Sequence, residues 1–317
     1  MRSAPRYGRS ILLALGLLIC SGCAAEAGYT PGKLDSDQMK QCRAVAQAYV
    51  DAKPEYSGLL DELRADPVAL AWFVRYLESE IVGAREGQAE LLGEEKVRID
   101  RVKAMRGQNK DPIKFDLPGQ RADMRAASQI IAIGGPAVDV VVNDLVLSSQ
   151  EFLRAIGIEL LTGIGDPAVP ALLRLASTGG QQQQRVAARA LGEVGAVGAS
   201  FDALRELSRS PVWRVRSDAA KGLANGGPAA RDLLVEMLGD EDLFVRRMAC
   251  QSLAGYRSGR VAAAIVDYLQ ACQKSEDRSG ELSAQKALQS MAGVKSPRTA
   301  VAWRRFADEM STGENGR

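Results

Sequence analysis

The sequence predicts an all-α protein: a right-handed α-solenoid of about six helical hairpins, closed at its N-terminal side by a helical cap. Three observations carry this. A hydrophobic pattern recurs about every thirty residues from residue 119 onward. Glycine and then proline follow the pattern at the places where a helix must end and the next begin. Within each segment the apolar residues return at three- and four-residue spacing, the period of a helix.

Each element can be justified in order. The apolar anchor late in each first helix is Ile130, Leu161, Leu191, Leu223, Leu253 and Leu288, at spacings of 31, 30, 32, 30 and 35 residues. Three and four positions earlier stand small residues such as Ala126-Ala127, Ala187-Ala188, Ala219-Ala220 and Ala249-Cys250, which let helices approach closely. After the anchor, Gly134, Gly165 and Gly195 are placed to end the helix in the left-handed conformation. Pro136, Pro167 and Pro228 then open the second helices, where a missing N–H costs nothing. Those second helices are expected at 137–147, 168–176, 199–207, 229–238, 260–272 and 298–310. A single hairpin cannot bury its apolar face, so the hairpins must stack.

The best copies read Val215-Arg216…Ala219-Ala220…Leu223 and Val245-Arg246…Ala249-Cys250…Leu253, with a close third in Arg185-Val186-Ala187-Ala188-Arg189-Ala190-Leu191-Gly192-Glu193-Val194-Gly195. This pattern resembles the HEAT-like repeats of the short type named after phycobilisome lyases, over residues 119–310. The resemblance implies a solenoid scaffold. Its relatives include bilin lyases, an iron-dependent hydroxylase of a modified lysine and DNA alkylpurine glycosylases.

Upstream, Asp35 or Asp37 can cap a helix reaching about Asp51, which Pro54 breaks. Asp66-Pro67 starts a long helical stretch, apolar through Ile81 and highly charged from Glu94 to Arg106; its apolar start is expected to cover the first repeat. Residues 108–119 read as a boundary loop. The division is thus a leader at 1–22, a flexible tether at 23–36, an N-terminal helical region at 37–118, the solenoid at 119–310 and a disordered tail at 311–317.

The leader carries Arg2, Arg6 and Arg9 and no acid, followed by the apolar run Ile11–Ile19. That is too short to span a bilayer and has the order of an export signal. Ser21-Gly22-Cys23 resembles the lipobox of bacterial lipoproteins, although Cys20 stands where that family usually has leucine. The resemblance implies a lipid anchor on Cys23 and, with Ala24 rather than aspartate next, release to the outer membrane, on its periplasmic face. The rival is cleavage at Ala25-Glu26-Ala27 and free secretion or a soluble periplasmic protein.

Composition narrows the function. The chain has 317 residues and no histidine, which excludes Ser-His-Asp and Cys-His nucleophiles and His-ligated metals. Sixteen aromatic residues leave few platforms for bases or flat cofactors. Without residues 1–22, 38 basic residues face 39 acidic ones, a net charge of −1, so no electrostatic drive toward nucleic acid is expected. Cys42, Cys250 and Cys272 remain as scattered thiols, expected to be unpaired, with no metal site. No cofactor is expected.

Arg154, Arg216 and Arg246 recur at one repeat position. They read as a structural ladder pairing with inter-repeat acids such as Asp240 or Asp242, with a basic ladder for an anionic partner as the alternative. Asp240-Glu241-Asp242 reads as helix capping, and Gln181–Gln184 as a solvated loop running into the next helix. Trp213 is either a partly exposed anchor for a partner or a cover for the neighbouring repeat. The acids Asp61-Glu62, Glu78/Glu80 and Glu94-Glu95 fit solvated helix faces. The expected function is a non-catalytic envelope lipoprotein that scaffolds protein–protein interaction. The alternative is a HEAT-like enzyme resembling a bilin lyase or DNA glycosylase, which the missing histidine and the export signal oppose. A groove for a peptidoglycan strand or lipid has little apolar or aromatic lining to support it.

Overall fold

The computed structural model describes residues 34–85, 120–295 and 299–315. The leader, Cys23, the tether up to residue 33, the charged stretch Glu94–Arg106 and the boundary loop 108–119 lie outside the described residues. Those that are described form helices and turns only. Two compact units divide the chain at Leu160/Leu161.

The first unit opens with α1 (Ser36–Val50). Asp35 caps it, accepting from the backbone N–H groups of Asp37 (2.9 Å) and Gln38 (2.8 Å), while the Gln38 side chain accepts from the Asp35 N–H. The Gln38 amide also donates to Asp66 (2.7 Å), whose other oxygen caps the helix over 67–85, α3; α2 (Tyr56–Leu63) lies between. Leu70, Phe73, Val74, Leu77 and Ile81 of α3 are buried, and Phe73 and Tyr76 form an aromatic cluster with Tyr49 and Tyr56. The first hairpin, α4 (Gln120–Ile133) and α5 (Val138–Val141, continued by a π turn at Val142–Val146), belongs to this unit. Tyr56 donates to Gln129 (2.9 Å), the Arg125 guanidinium lies over the Tyr49 ring (4.3 Å), and Arg75 pairs with Asp144. These contacts cover the apolar start of the repeats.

Glu78 is the exception to its expected place on a solvated face. It is 5% exposed, and one carboxyl oxygen has no hydrogen-bond partner. Burial, reinforced by Asp144 and opposed by Arg75, pushes its pKa well above the carboxylate range. Its spacing from Val74 and Ile81 puts it on the apolar stripe of α3.

Helix α6 (Glu151–Ile164) contains the unit boundary. The second unit continues with α7 (Val169–Thr178), α8 (Gln181–Val194), α9 (Gly198–Leu207), α10 (Trp213–Gly222), α11 (Pro228–Met237), α12 (Leu243–Leu253), α13 (Gly259–Lys274), α14 (Arg278–Ala292) and α15 (Ala300–Asn315). The even-numbered helices are the first helices of the hairpins. From α8 to α14 each packs on the next, and every anchor from Leu191 to Leu288 is completely buried. A tight crossing joins α8 to α10, where a Cβ built on Gly192 would stand 2.2 Å from the Cα of Gly222. Only glycine fits there.

Four expectations are corrected. Gly134 (φ 72°, ψ −134°) and Gly165 (φ 75°, ψ −136°) do not take the left-handed helical conformation. They occupy the mirror image of the extended region, open to glycine alone, because the chain must reverse into a 3-10 turn carrying Pro136 or Pro167 before the second helix starts. Left-handed Gly293 ends α14 instead. Gln181–Gln184 is the first turn of α8 rather than a loop; the Gln183 side chain accepts from the Gly180 N–H (2.9 Å) and starts the helix there. The last second helix, α15, lies antiparallel to α13, whereas a regular repeat would set it parallel. Gly259 lies against Ser311, while Asp267 pairs with Arg304 eight residues further along α13. Trp303 and Ala307 are buried on that face, so α15 closes the array and continues to Asn315, into the stretch expected as a disordered tail.

Candidate interaction site

The arginine ladder turns toward the chain's own loops. Arg154 Nη1 donates to the carbonyl of Ser148 (2.8 Å), Arg216 Nη1 to that of Ser210 (2.9 Å) and Arg246 Nη1 to that of Asp240 (3.2 Å), each six residues upstream. Every rung ties a first helix to the loop before it and satisfies a carbonyl of that loop. Arg216 adds the inter-repeat contact, holding both oxygens of Asp240 (2.8 and 2.9 Å) and one of Glu241 (3.0 Å). The pair is largely buried, at 8% and 11% side-chain exposure, and the hydrogen bond to Asp240 raises the Arg216 pKa further.

That pair leads to an aromatic edge. Asp240 also accepts from the backbone N–H of Asp242 (2.8 Å), and Asp242 caps α12 by accepting from the N–H of Phe244 (2.8 Å). Phe244 is thereby set against Trp213, the first residue of α10, with ring centroids 5.0 Å apart and planes 26° from parallel. The Arg214 guanidinium lies 4.6 Å from the Trp213 ring centre and that of Arg247 4.2 Å from Phe244. Each ring thus carries the other ring and a guanidinium, Arg214 on Trp213 and Arg247 on Phe244. Trp213 is half-buried; Phe244 is 53% and its neighbour Leu243 43% exposed. Trp213 thus packs on the next repeat through Phe244 and remains partly exposed. Phe244, Arg214 and Arg247 were not singled out from the sequence, because Trp213 stands ten residues before its anchor and Phe244 nine.

Nothing else among the described residues forms a reactive site. No group of three or more His, Cys, Asp or Glu side chains is placed to hold a metal. The three thiols are buried and free, and burial pushes Cys42 up to about 11 and Cys250 and Cys272 upward too, so none is a ready nucleophile at neutral pH. Glu78, with its raised pKa, is closed off from solvent.

Comparison with known proteins bears on the repeats. A model of HEAT repeats matches residues 201–289. No curated protein matches the chain. Among solved structures, an engineered protein shares 24% identity, covering 55% of this chain and 91% of its own, with a TM-score of 0.32. The complex of CpcE and CpcF of phycocyanin lyase from Nostoc sp. PCC7120 shares 19% identity, covering 89% and 97%, with a TM-score of 0.34. Residues 201–289, which run from α9 to α14, thus match HEAT repeats, and the described residues form an all-α helical-repeat fold.

Proposed function

We propose that the chain is a non-catalytic, lipid-anchored scaffold of the bacterial cell envelope that binds a protein partner through its HEAT repeats. The observation that carries the reading is the Trp213–Phe244 stack, an exposed aromatic pair flanked by arginines on a rigid repeat edge. Tryptophan and arginine are enriched among the residues that dominate protein interfaces, and this pair is already held in place before any partner arrives. The envelope address rests on the leader and on Ser21-Gly22-Cys23; an outer-membrane location on the periplasmic face rests on Ala24. The absence of histidine and the enclosure of Glu78 weigh against catalysis.

Two measurements test this. A photoreactive residue at position 244, introduced in cells, should give a discrete protein adduct that disappears with Trp213→Ala; the same residue at position 205, on α9, should give none. Intact mass should correspond to residues 23–317 plus three acyl chains, and should change when the lipoprotein signal peptidase is inhibited. No adduct at 244 contradicts the scaffold. An unmodified chain starting near Gly28 contradicts the anchor.

A further inference from the structure

Charge is divided between the two helix layers of the second unit. The first helices α8, α10, α12 and α14 carry nine basic and three acidic residues; the second helices α9, α11 and α13 carry four basic and five acidic. Pairing sharpens the contrast. On the second helices and the turn after α9, Arg205 pairs with Asp202 (3.0 Å), Arg209 with Glu206 (3.3 Å), Arg231 with Asp232 (2.9 Å) and Arg260 with Asp232 (3.5 Å). On the first helices, Arg214, Lys221, Arg247, Arg278 and Lys286 have no carboxylate partner among the described residues, and all but half-buried Arg247 are exposed. They stand at helical spacing on one side: Arg247 six positions before its anchor, Lys221 and Lys286 two before theirs. The three acids there are Asp218, held by Arg185 (2.6 Å) and Arg189 (2.8 Å); Glu281, which accepts from Gln273; and Glu193, at the end of α8.

We infer that this first-helix face takes an acidic protein segment carrying an apolar side chain, the apolar group seated on Leu243 and the ring edges of Trp213 and Phe244, and the carboxylates on Arg214, Arg247 and the neighbouring lysines. The inference rests on the scaffold reading and names its partner's chemistry. Charge complementarity selects the class: unpaired cations remain along one layer of a chain whose mature net charge is −1. The stack selects protein over nucleic acid. Each ring already carries the other ring and a guanidinium, which leaves little face for a base, whereas a guanidinium over a ring keeps Nη N–H groups for a carboxylate even where, as in Arg247, Nε donates to the Leu243 carbonyl (3.2 Å).

The test selects a displayed random-peptide library against the full chain in detergent and measures the recovered peptides on charge-reversed variants. Recovered peptides should be rich in Asp and Glu around an aromatic or aliphatic residue. Arg214→Glu with Arg247→Glu should weaken binding about tenfold or more, and Arg205→Glu with Arg209→Glu by less than about twofold. If the first pair lowers the melting temperature, Lys221→Glu with Lys286→Glu replaces it, and should weaken the same peptides while leaving the stack untouched. Peptides without acidic bias, or insensitive to both first-layer pairs, overturn the inference; if they are still lost on Phe244→Ala, the scaffold reading stands without it. A single-stranded oligonucleotide or phosphatidylglycerol vesicles displacing the best peptide at equal charge concentration also overturn it, in favour of a general polyanion face.

Discussion

The first and second helix layers of the second unit are built from the same repeats and solve different problems. In the first layer, small residues bring backbones together at Gly192 and Gly222, and a largely buried ion pair, Arg216 with Asp240, joins successive repeats. In the second layer α9, α11 and α13 meet one another less closely and the charges are settled locally, as between Arg205 and Asp202. A layer held from within leaves its outward side chains free. Lys221 and Lys286 have no carboxylate partner among the described residues, the Arg214 and Arg247 guanidiniums lie on the Trp213 and Phe244 rings, and Phe244 is positioned by a cap rather than buried by packing. Stability and recognition thus share helices but not faces of helices.

The largest expected effect comes from breaking the buried link. Arg216→Ala leaves Asp240 without its bidentate partner and should cost about 3–5 kcal/mol, whereas Arg205→Ala, removing an exposed pair, should change stability by less than about 1 kcal/mol. Urea unfolding of both variants measures the contrast directly, and equal costs would erase the distinction between the layers. Next, Gly192→Val should destabilise by about 3 kcal/mol because its Cβ meets the α10 backbone; Gly227→Ala, with open space around it, should stay within about 0.5 kcal/mol. Phe244→Ala should cost about 1 kcal/mol of stability, since the ring is half exposed, yet abolish partner capture by a photoreactive residue placed at position 243. A large stability loss there would make the stack a structural clamp instead.

A pH-dependent effect lies outside both layers. Glu78 has a raised pKa in the folded first unit, so stability is full below about pH 4.5 and falls as pH rises toward the folded value, where the unfolded carboxylate ionises and the buried one does not. Glu78→Gln should flatten that decline in a series of melting curves. An unchanged pH profile would place the decline elsewhere.

Much of this fold was legible because a thirty-residue period survives substitution: the anchors, the small residues before them and the proline starts all reappear as helices in their expected places. Direction was not legible. The apolar period of 300–315 fits a sixth regular hairpin, but Arg304 and Ser311 meet α13 from the opposite sense. The interaction edge was half legible. Trp213 stood out as a rare residue, but alignment on the anchors places Phe244 one position away from it. The recurring arginine drew attention to Arg154, Arg216 and Arg246, which face loops, while the outward cations stand in the less regular registers around them. Glu78 shares its acidic neighbourhood with Glu80, which suggests a solvated face, but its own spacing from Val74 and Ile81 assigns it to the apolar side.

The account stands most directly on where a partner sits. Hydrogen–deuterium exchange of the full chain, alone and with the partner captured at position 244, reads this helix by helix. The account predicts slowed exchange in the opening turns of α10 and α12, around 213–217 and 243–248, with α9 and α11 unchanged. Protection confined to α9 and α11, with the openings of α10 and α12 exchanging as before, would contradict it.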